Sequence, residues 1–369
     1  MKIPFNTLDK QFFMYQEEYE KKALEILRKG WYVLGPEVNK FEKEFAEYLK
    51  SEYVVGLDNG LNAIVIALRA LGIGAGDEVI VQANTYIASV MGITMNGATP
   101  VFVEPDEYYN IDAERIEGKI TDKTKAILVV HLYGQGTNME KIQKLCEKYN
   151  LFLVEDCAQS HGAKYKGQMT GTFGIGCFSF YPSKNLGCFG DGGAISTNDT
   201  KLDKEFRILR NYGSEKRYYN EIVGYNSRLD EIQAGLLRVK LKHINELEQE
   251  RKEIAERYLV EIKNPLIILP KINKDCTHVW HLFVVRVEKR EKFQKYLEEN
   301  GIGTVIHYPV PPHLSEAYEY LGYKKGDFPI TENYAETVLS LPIYNGMAKE
   351  EIDYVIEKIN TYKELRGER

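Results

Sequence analysis

Several features that would assign the chain to a particular class of protein are scarce or missing. The 369 residues include only five cysteines, an odd number, and none of them forms a Cys-x-x-Cys pair. This count argues against a disulfide framework, and we expect reduced thiols. Apolar runs are shorter than a membrane span, and the first residues do not form a signal peptide pattern. We therefore expect a cytoplasmic protein without a membrane partner.

Basic charge is also in short supply. Lys and Arg total 48 against 54 Asp and Glu, which gives a formal net charge of -6. Binding to a phosphate backbone needs a basic surface, so we expect no nucleic acid partner. His278 and His281 flank Val279-Trp280 without the further ligands that a metal site needs, and we expect no metal.

The composition that remains is that of a globular protein of more than one domain. Hydrophobic residues make up 44% of the chain and charged residues 28%. A chain of this length is too long for one ordinary core and suits a large and a small domain. We place the large domain at residues 1–245 and a smaller C-terminal α+β domain at residues 246–369.

Short β-rich runs alternate with helical stretches through the first domain. The helical stretches include Pro36–Lys50, Leu61–Leu71, Tyr86–Asn96 and Asn138–Tyr149. The predicted strands are Tyr53–Leu57, Glu78–Gln82, Val101–Glu104, Ala126–His131, Leu151–Val154, Cys177–Tyr181 and Ala194–Thr197. Strands separated by helices need crossover connections, so the pattern predicts an α/β domain with a largely parallel sheet.

The segment richest in chemistry is Ser179-Phe180-Tyr181-Pro182-Ser183-Lys184-Asn185-Leu186-Gly187. A strand ends here in a loop of proline and glycine, where ligands bind in open α/β sheets. By itself the segment is equally consistent with a surface lysine in a glycine-rich turn.

A second segment, Glu155-Asp156-Cys157-Ala158-Gln159, follows another predicted strand. Asp156 alone is better explained as the cap of a turn. Together with a downstream lysine it fits pyridoxal phosphate, which needs an amine for its aldehyde and a carboxylate for its pyridine nitrogen. Asp156 and Lys184 are therefore the candidate catalytic residues.

Two further features are consistent with this cofactor. Asp58-Asn59-Gly60-Leu61-Asn62 joins a strand to a helix, and a helix N-terminus favours an anion such as a phosphate. Tyr86 follows the second predicted strand and could stack on the pyridine ring, although most buried aromatic residues fill cores.

Taken together, these segments resemble the DegT/DnrJ/EryC1/StrS family of nucleotide-sugar aminotransferases over nearly the whole chain. The other matching segments are Gly30–Pro36, Gln82–Tyr86, Gly190–Gly193, Tyr225–Ala234 and Tyr308–Leu314. The resemblance implies fold type I of the aspartate aminotransferase kind, with a seven-stranded, mostly parallel sheet.

The resemblance also implies a role for each matching residue. Lys184 would carry the cofactor as a Schiff base and then move the proton. Asp156 would pair with the pyridinium nitrogen, and Gln159 would hold the ring near its phenolic oxygen. The phosphate would be bound by Ser179, by the backbone of Gly60, Leu61 and Asn62, and by Asn226 from the neighbouring subunit of a homodimer. The sugar nucleotide would contact Tyr32, Tyr181, His307 and His313.

One position departs from the family pattern. Where the family commonly has Thr or Ser, this chain has Leu61, so a hydroxyl contact to the phosphate is missing. Backbone donors and the helix N-terminus can still hold the anion.

The implied reaction takes an amino group from L-glutamate to a keto group of a dTDP-linked deoxysugar. Tyr181, Asn185 and the segment Gly190–Gly193 resemble the enzymes that act on carbon 3 of 3-keto-6-deoxyhexoses. A 4-keto sugar aminotransferase is the alternative within the family. A sugar dehydratase would have His in place of Lys184, and a non-catalytic regulatory or sugar-binding protein would not need Lys184, Asp156 and Gln159 together.

Overall fold

A computed structural model describes residues 1–363 of the chain. Its strands are β1 (Tyr53–Leu57), β2 (Glu78–Gln82), β3 (Thr99–Val103), β4 (Thr124–Val130), β5 (Phe152–Asp156), β6 (Lys164–Tyr165), β7 (Gln168–Met169), β8 (Ile175–Ser179), β9 (Gly193–Thr197), β10 (Phe283–Arg286) and β11 (Val338–Leu341).

The α-helices lie before, between and after these strands. They are α1 (Asp9–Met14), α2 (Gln16–Lys29), α3 (Pro36–Leu49), α4 (Gly60–Ala70), α5 (Ile87–Thr94), α6 (Ala113–Ile116), α7 (Met139–Tyr149), α8 (Thr200–Leu209), α9 (Glu231–Lys242), α10 (Ile244–Glu261), α11 (Arg290–Glu299), α12 (Pro329–Thr337) and α13 (Lys349–Thr361).

The central sheet has seven strands in the order β1-β9-β8-β5-β4-β2-β3. Strand β9 runs antiparallel to both of its neighbours, and the other neighbouring pairs are parallel. The predicted seven-stranded, mostly parallel sheet is therefore confirmed. The bounds of β1 and β2 agree with the prediction, and the other five strands begin or end up to two residues away.

Helices cover both faces of this sheet, which is why its strands are apolar on both sides. On one face α4, α5 and α8 contribute Ile64, Val90 and Phe206 to the largest hydrophobic cluster. On the other face two clusters form, one around Ile142 of α7 and one around Phe41 of α3. A sheet covered in this way leaves its strand ends as the open places for a ligand.

The carboxyl ends of β1, β2, β5 and β8 lie at the same edge of the sheet, because these strands share one direction. The loops that leave this edge carry the motifs identified in the sequence. Gly60 begins α4 directly after β1, Asp156 ends β5, and Ser179 ends β8. The topology therefore brings segments more than 100 residues apart to one side of the sheet.

The C-terminal part packs around its own cluster, which includes Tyr258, Phe283, Leu339 and Val355. Strands β10 and β11 pair antiparallel beside α10 and α11, in agreement with the expected α+β arrangement. Ile3 also joins this cluster, so the start of the chain packs on the C-terminal part. The division into residues 1–245 and 246–369 stays a prediction, and residues 364–369 lie outside the described part of the chain.

Three features of the secondary structure differ from the sequence expectations. The charged pattern of Leu229–Ile262 predicts one long helical stretch, but the structure divides it at His243 into α9 and α10. The hairpin β6–β7 and the strand β11 were not predicted, because they are short and have little alternating pattern.

In the described residues, no helix combines the length and the low polarity that crossing a membrane would require.

Candidate active site

The edge of the sheet where the motifs meet contains a cavity of about 630 Å³. Nine of the residues singled out in the sequence line it, namely Gly60, Leu61, Tyr86, Asp156, Gln159, Ser179, Tyr181, Lys184 and His307. They come from four strand ends and from the C-terminal part of the chain. The structure therefore brings these residues together in one place.

Lys184 lies in the loop after β8, in a tight turn that its own N–H closes by donating to the Tyr181 carbonyl at 2.8 Å. This turn requires a glycine at position 187, three residues after Lys184, because a Cβ there would lie 2.4 Å from the Pro182 carbonyl oxygen. Burial lowers the pKa of Lys184 to about 8, and the carboxylate of Asp156 opposes part of this shift. A larger share of the amine is therefore neutral near physiological pH than for an exposed lysine.

Asp156 is buried at the end of β5, and both of its carboxylate oxygens have partners. The hydroxyl of Ser89 donates to Oδ2 at 2.7 Å, and the backbone N–H of Ala158 donates to Oδ1 at 3.1 Å. Among the described residues it forms no ion pair within 4.0 Å. Its charge is thus left for a cation that enters the cavity, which fits the protonated pyridine nitrogen of pyridoxal phosphate.

Gln159 is fixed from two sides. Its Oε1 accepts from the backbone N–H of Tyr133 at 2.7 Å, and its Nε2 donates to the hydroxyl of Tyr308 at 2.9 Å. Tyr308 in turn lies 5.1 Å from Tyr86, measured between ring centroids. Tyr86 is 52% exposed, so one of the aromatic side chains of the cavity remains open to a ligand.

The N-terminus of α4 forms another part of the cavity wall. Asn59 caps this helix by accepting from the N–H of Asn62 at 2.8 Å, which leaves the N–H groups of Gly60 and Leu61 without a partner among the described hydrogen bonds. A Cβ on Gly60 would lie 2.6 Å from the Cβ of Ser179. This close approach places Ser179 beside two open donors at a helix N-terminus, a site suited to a phosphate.

Four predicted residues do not line this cavity. The N–H of Asn62 is already used by Asn59, and its side chain donates to Asp58, so Asn62 holds the turn rather than an anion. Asn226 is exposed, and so is Tyr32, whose hydroxyl donates to the Leu27 carbonyl at 3.2 Å. His313 is buried beside Phe328, and its Nε2 lies 3.2 Å from Glu332. Within one chain, His313 is a core residue.

Several residues of the cavity were missed by the sequence analysis, chiefly Ser89, Arg251, His281 and Tyr308. Ser89 and Arg251 lie inside helices, where a polar residue gives no local signal of function. His281 was considered only as a metal ligand, but its Nδ1 lies 3.3 Å from Asn185. The motif Tyr308–Leu314 was noticed, but His313 was selected from it instead of Tyr308.

His131, Glu155 and Cys157 lie close enough together to resemble a metal site. The N–H of Thr137 donates to Nδ1 of His131 at 3.1 Å, so the ring proton is on Nε2 and is donated to Glu155 at 3.0 Å. Glu155 also accepts three backbone N–H groups, from Gly171, Phe173 and Gly174. These bonds make the cluster a buried polar network that joins β5 to the loop before β8.

Known proteins that are similar to this chain match it over nearly its full length. A profile of the DegT/DnrJ/EryC1/StrS aminotransferase family matches residues 14–360. The chain belongs to this family. The dTDP-3-amino-3,6-dideoxy-alpha-D-galactopyranose transaminase of Aneurinibacillus thermoaerophilus is 53% identical, over 98% of this chain and 99% of that one.

Two solved structures extend the comparison to the fold. DesV of Streptomyces venezuelae, in complex with a ketimine intermediate, is 44% identical with a TM-score of 0.95, over 97% of this chain and 98% of that one. Spr1654 of Streptococcus pneumoniae, solved in its PLP form, is 30% identical with a TM-score of 0.87, over 94% of this chain and 95% of that one. The expected family, fold type, aminotransferase activity and pyridoxal phosphate cofactor are confirmed.

Proposed function

We propose that the protein transfers an amino group from L-glutamate to carbon 3 of a dTDP-linked 3-keto-6-deoxyhexose, giving a 3-amino-3,6-dideoxy sugar. The observation that carries the proposal is that Lys184 and Asp156 face one cavity, the lysine with a lowered pKa and the carboxylate without a cation. When bound, pyridoxal phosphate supplies an aldehyde that takes up amino groups and a ring that withdraws electrons from the reacting carbon.

Asp156 keeps the pyridine nitrogen protonated in this proposal. Its two bonds from Ser89 and Ala158 fix the carboxylate without neutralising it. A fixed negative charge in a largely buried site stabilises a nearby positive charge more strongly than the same charge does in water. The residue therefore acts by orientation and charge, and it need not exchange a proton with the substrate.

Lys184 has two tasks, which follow each other. Its Nζ first binds the cofactor, and once it is released it moves a proton between the reacting carbons as an amine base. Burial supports the second task, because it lowers the pKa of the amine to about 8 and so raises its neutral fraction.

The N–H groups of Gly60 and Leu61 and the hydroxyl of Ser179 bind the phosphate. Leu61 contributes only its backbone, because its side chain has no hydroxyl. Asn226 completes the phosphate site from the neighbouring subunit, which is consistent with its exposure and its position outside the cavity of its own chain. The proposed active unit is therefore a homodimer with shared sites.

Two lining residues are proposed to orient the sugar. Tyr181 is 55% exposed at the mouth of the cavity. His307 lies in its wall, with Nδ1 at 2.8 Å from Ser340. Burial lowers the pKa of His307 to about 4, so its ring is neutral and can donate or accept a hydrogen bond with a sugar hydroxyl. Tyr32, which is exposed outside this cavity, remains a proposed contact of the sugar nucleotide, and His313, which is buried beside Phe328, is left out of the proposed site.

Two observations support the choice of carbon 3 and of dTDP. The Aneurinibacillus relative at 53% identity is a dTDP-3-amino-3,6-dideoxy-galactopyranose transaminase. The loop around Tyr181 and Asn185 resembles the carbon-3 enzymes of the family.

Five buried and unpaired cysteine thiols are consistent with the proposed reaction in the reducing cytoplasm.

The experiment supplies L-glutamate with dTDP-linked 3-keto- and 4-keto-6-deoxyglucose in separate reactions, with their interconversion controlled. We expect NMR to locate the new amine on carbon 3. Moving the reacting carbon to the next ring position misplaces it by more than an ångström, which costs a rate factor on the order of 100. Amination at carbon 4 alone would refute the sugar assignment and leave the aminotransferase activity intact.

A further inference from the structure

Arg251 is a buried arginine of α10 that the proposed chemistry does not yet use. Only 4% of its surface is exposed, and it lines the same cavity as Lys184. Arg251 and Lys184 also line a second, much smaller cavity together with Ser183 and Asn345. Arg251 therefore belongs to the wall of the cavity that contains Lys184, and it enters this wall from α10.

The hydrogen bonds of this guanidinium go to neutral carbonyl groups. Nη1 donates to the carbonyl of Ile343 at 2.9 Å, and Nη2 donates to that of His281 at 3.3 Å. Its Nε is buried and has no partner. Among residues 1–363, no carboxylate lies within 4.0 Å of Arg251. Glu250, the residue before it, instead accepts from Asn345 and Gly346.

Other largely buried arginines of the chain are paired with acids. Arg210 donates to Glu42 at 2.5 Å, and Arg238 donates to both Glu37 and Glu44. A buried charge is costly unless an opposite charge or a full set of hydrogen bonds compensates it. Arg251 keeps its charge near neutral pH, since burial lowers its pKa only to about 10. An unpaired cation in the wall of a substrate cavity indicates that an anion binds there.

The position of Arg251 decides between the anions that the reaction brings in. The cofactor phosphate has its own donors at Gly60, Leu61 and Ser179. The diphosphate of a sugar nucleotide is attached to carbon 1 of the sugar, several bonds from the carbon that receives the amine. The α-carboxylate of an amino acid lies one carbon from the reacting amine, and Arg251 shares both cavities with Lys184.

We propose that Arg251 binds the α-carboxylate of the amino donor and so defines the donor subsite. The inference rests on the proposed aminotransferase function. Two side chains of the same region, His281 and His307, are neutral because burial lowers the pKa of each. Arg251 is thus the fixed cation on this side of the cavity, and a guanidinium suits a carboxylate because it offers several N–H groups in one plane.

The test compares Arg251→Gln and Arg251→Lys with Arg257→Gln, a control on the same helix. Arg257 forms surface ion pairs with Glu261 and Asp353 and does not line the cavity. Each holoenzyme is measured in two single-turnover reactions followed by the cofactor absorbance. One reaction is driven by L-glutamate, and the other starts from the pyridoxamine phosphate form and the keto sugar.

We expect Arg251→Gln to raise the glutamate concentration at half-maximal rate about 10- to 100-fold. A change of this size corresponds to the loss of one charged hydrogen-bonding partner. Arg251→Lys should recover part of this loss, while the sugar reaction and the Arg257→Gln control stay unchanged. The inhibition constant of glutarate, which has no amine and cannot react, should rise in parallel with the glutamate value. Thermal unfolding and the cofactor content of each variant show whether it is folded.

Three outcomes would overturn the inference. One is an unchanged response of Arg251→Gln to glutamate, and another is a loss confined to the sugar reaction, which would assign the residue to the diphosphate. The third is an equal loss in both reactions that Arg251→Lys does not recover, which would make Arg251 structural. Failure of the proposed function itself is distinguishable, because the wild-type protein would then transfer no amine.

Discussion

The hydroxyl of Ser89 donates a hydrogen bond of 2.7 Å to Oδ2 of Asp156, and this bond joins the first turn of α5 to the end of β5. The hydroxyl oxygen of Ser89 also lies 2.9 Å from that of Thr85, so Thr85, Ser89 and Asp156 form one buried chain of hydrogen bonds. The two residues are 67 positions apart in the sequence, and the fold of the parallel sheet brings their elements together. The bond fixes the direction in which the carboxylate faces the cavity.

The first prediction concerns this carboxylate. Asp156→Asn should still bind pyridoxal phosphate, since the phosphate donors and Lys184 remain. The amide has no charge to hold the pyridine nitrogen protonated, so each half-reaction should slow by about 100-fold or more. Ser89→Ala keeps the charge but loses one hydrogen bond, and its rate should fall by about tenfold at most. Single-turnover rates and cofactor content measure both effects; equal losses in the two variants would contradict the assigned role.

The second prediction uses the lowered pKa of Lys184. In the cofactor-free protein, the amine should be mostly protonated below pH 8 and mostly neutral above it. The neutral amine is the nucleophile, so the rate of covalent capture of pyridoxal phosphate should rise about tenfold per pH unit below pH 8 and then level off. Stopped-flow absorbance measures this rate, with Lys184→Ala as the control that captures none. A rate that keeps rising to pH 10 would show an ordinary lysine.

The strands and the catalytic loop could be predicted from the sequence because their signals are local. Apolar runs of β-branched residues between turns marked the sheet, and the lysine lies in a loop with a proline before it and a glycine after it. Ser89, Arg251 and Tyr308 gave no such signal. Each depends on a contact with a residue far along the chain, and such contacts follow from the topology rather than from the neighbouring residues.

The contacts of His313 and Asn62 within the chain also depend on the topology. His313 belongs to a matching segment, but the chain turns so that Tyr308 faces the cavity and His313 packs on Phe328. Asn62 follows the glycine turn as expected, yet Asn59 uses its N–H as the cap of α4. In both cases the sequence marks the segment, while the direction of one side chain or N–H group follows only from the fold.

The third prediction tests the phosphate wall. Gly60→Ala adds a Cβ that would lie 2.6 Å from the Cβ of Ser179, so the helix N-terminus and Ser179 must move apart. We expect the dissociation constant of the cofactor to rise about tenfold, because about one hydrogen bond to a charged group is lost. Gly118→Ala is the matched control, because nothing lies within 4 Å of its added Cβ. Equilibrium binding of pyridoxal phosphate measures both variants, and equal affinities would show that the wall tolerates the methyl group.

The last prediction tests whether the active sites are shared between subunits. Asn226 is exposed, lies outside the cavity of its own chain, and forms an isolated antiparallel β-bridge with Asn211. Its neighbour Ser227 is fully buried and donates to Asp58, next to the phosphate turn, so the backbone beside Asn226 is held in place. An exposed side chain outside the cavity of its own chain is available to complete a site in another subunit.

Mixed dimers make this arrangement measurable. Lys184→Ala inactivates the site of its own chain, and Asn226→Asp places a negative charge where the neighbour binds phosphate, so each homodimer should be inactive. If Asn226 acts across the interface, a mixed dimer has one site with both changes and one intact site. Random exchange of equal amounts then gives half mixed dimers, and about a quarter of the wild-type activity should return. Recovery should follow the amount of mixed dimer, measured by native mass spectrometry.

The control mixes Lys184→Ala with Asp156→Asn, a pair whose residues lie in the cavity of the same chain. In those mixed dimers each site carries one change, so no intact site forms and activity should not return. This contrast separates complementation from a general effect of subunit exchange. If the Asn226 pair behaves like the control while mixed dimers are abundant, Asn226 serves its own chain, and the proposed sharing of sites is wrong.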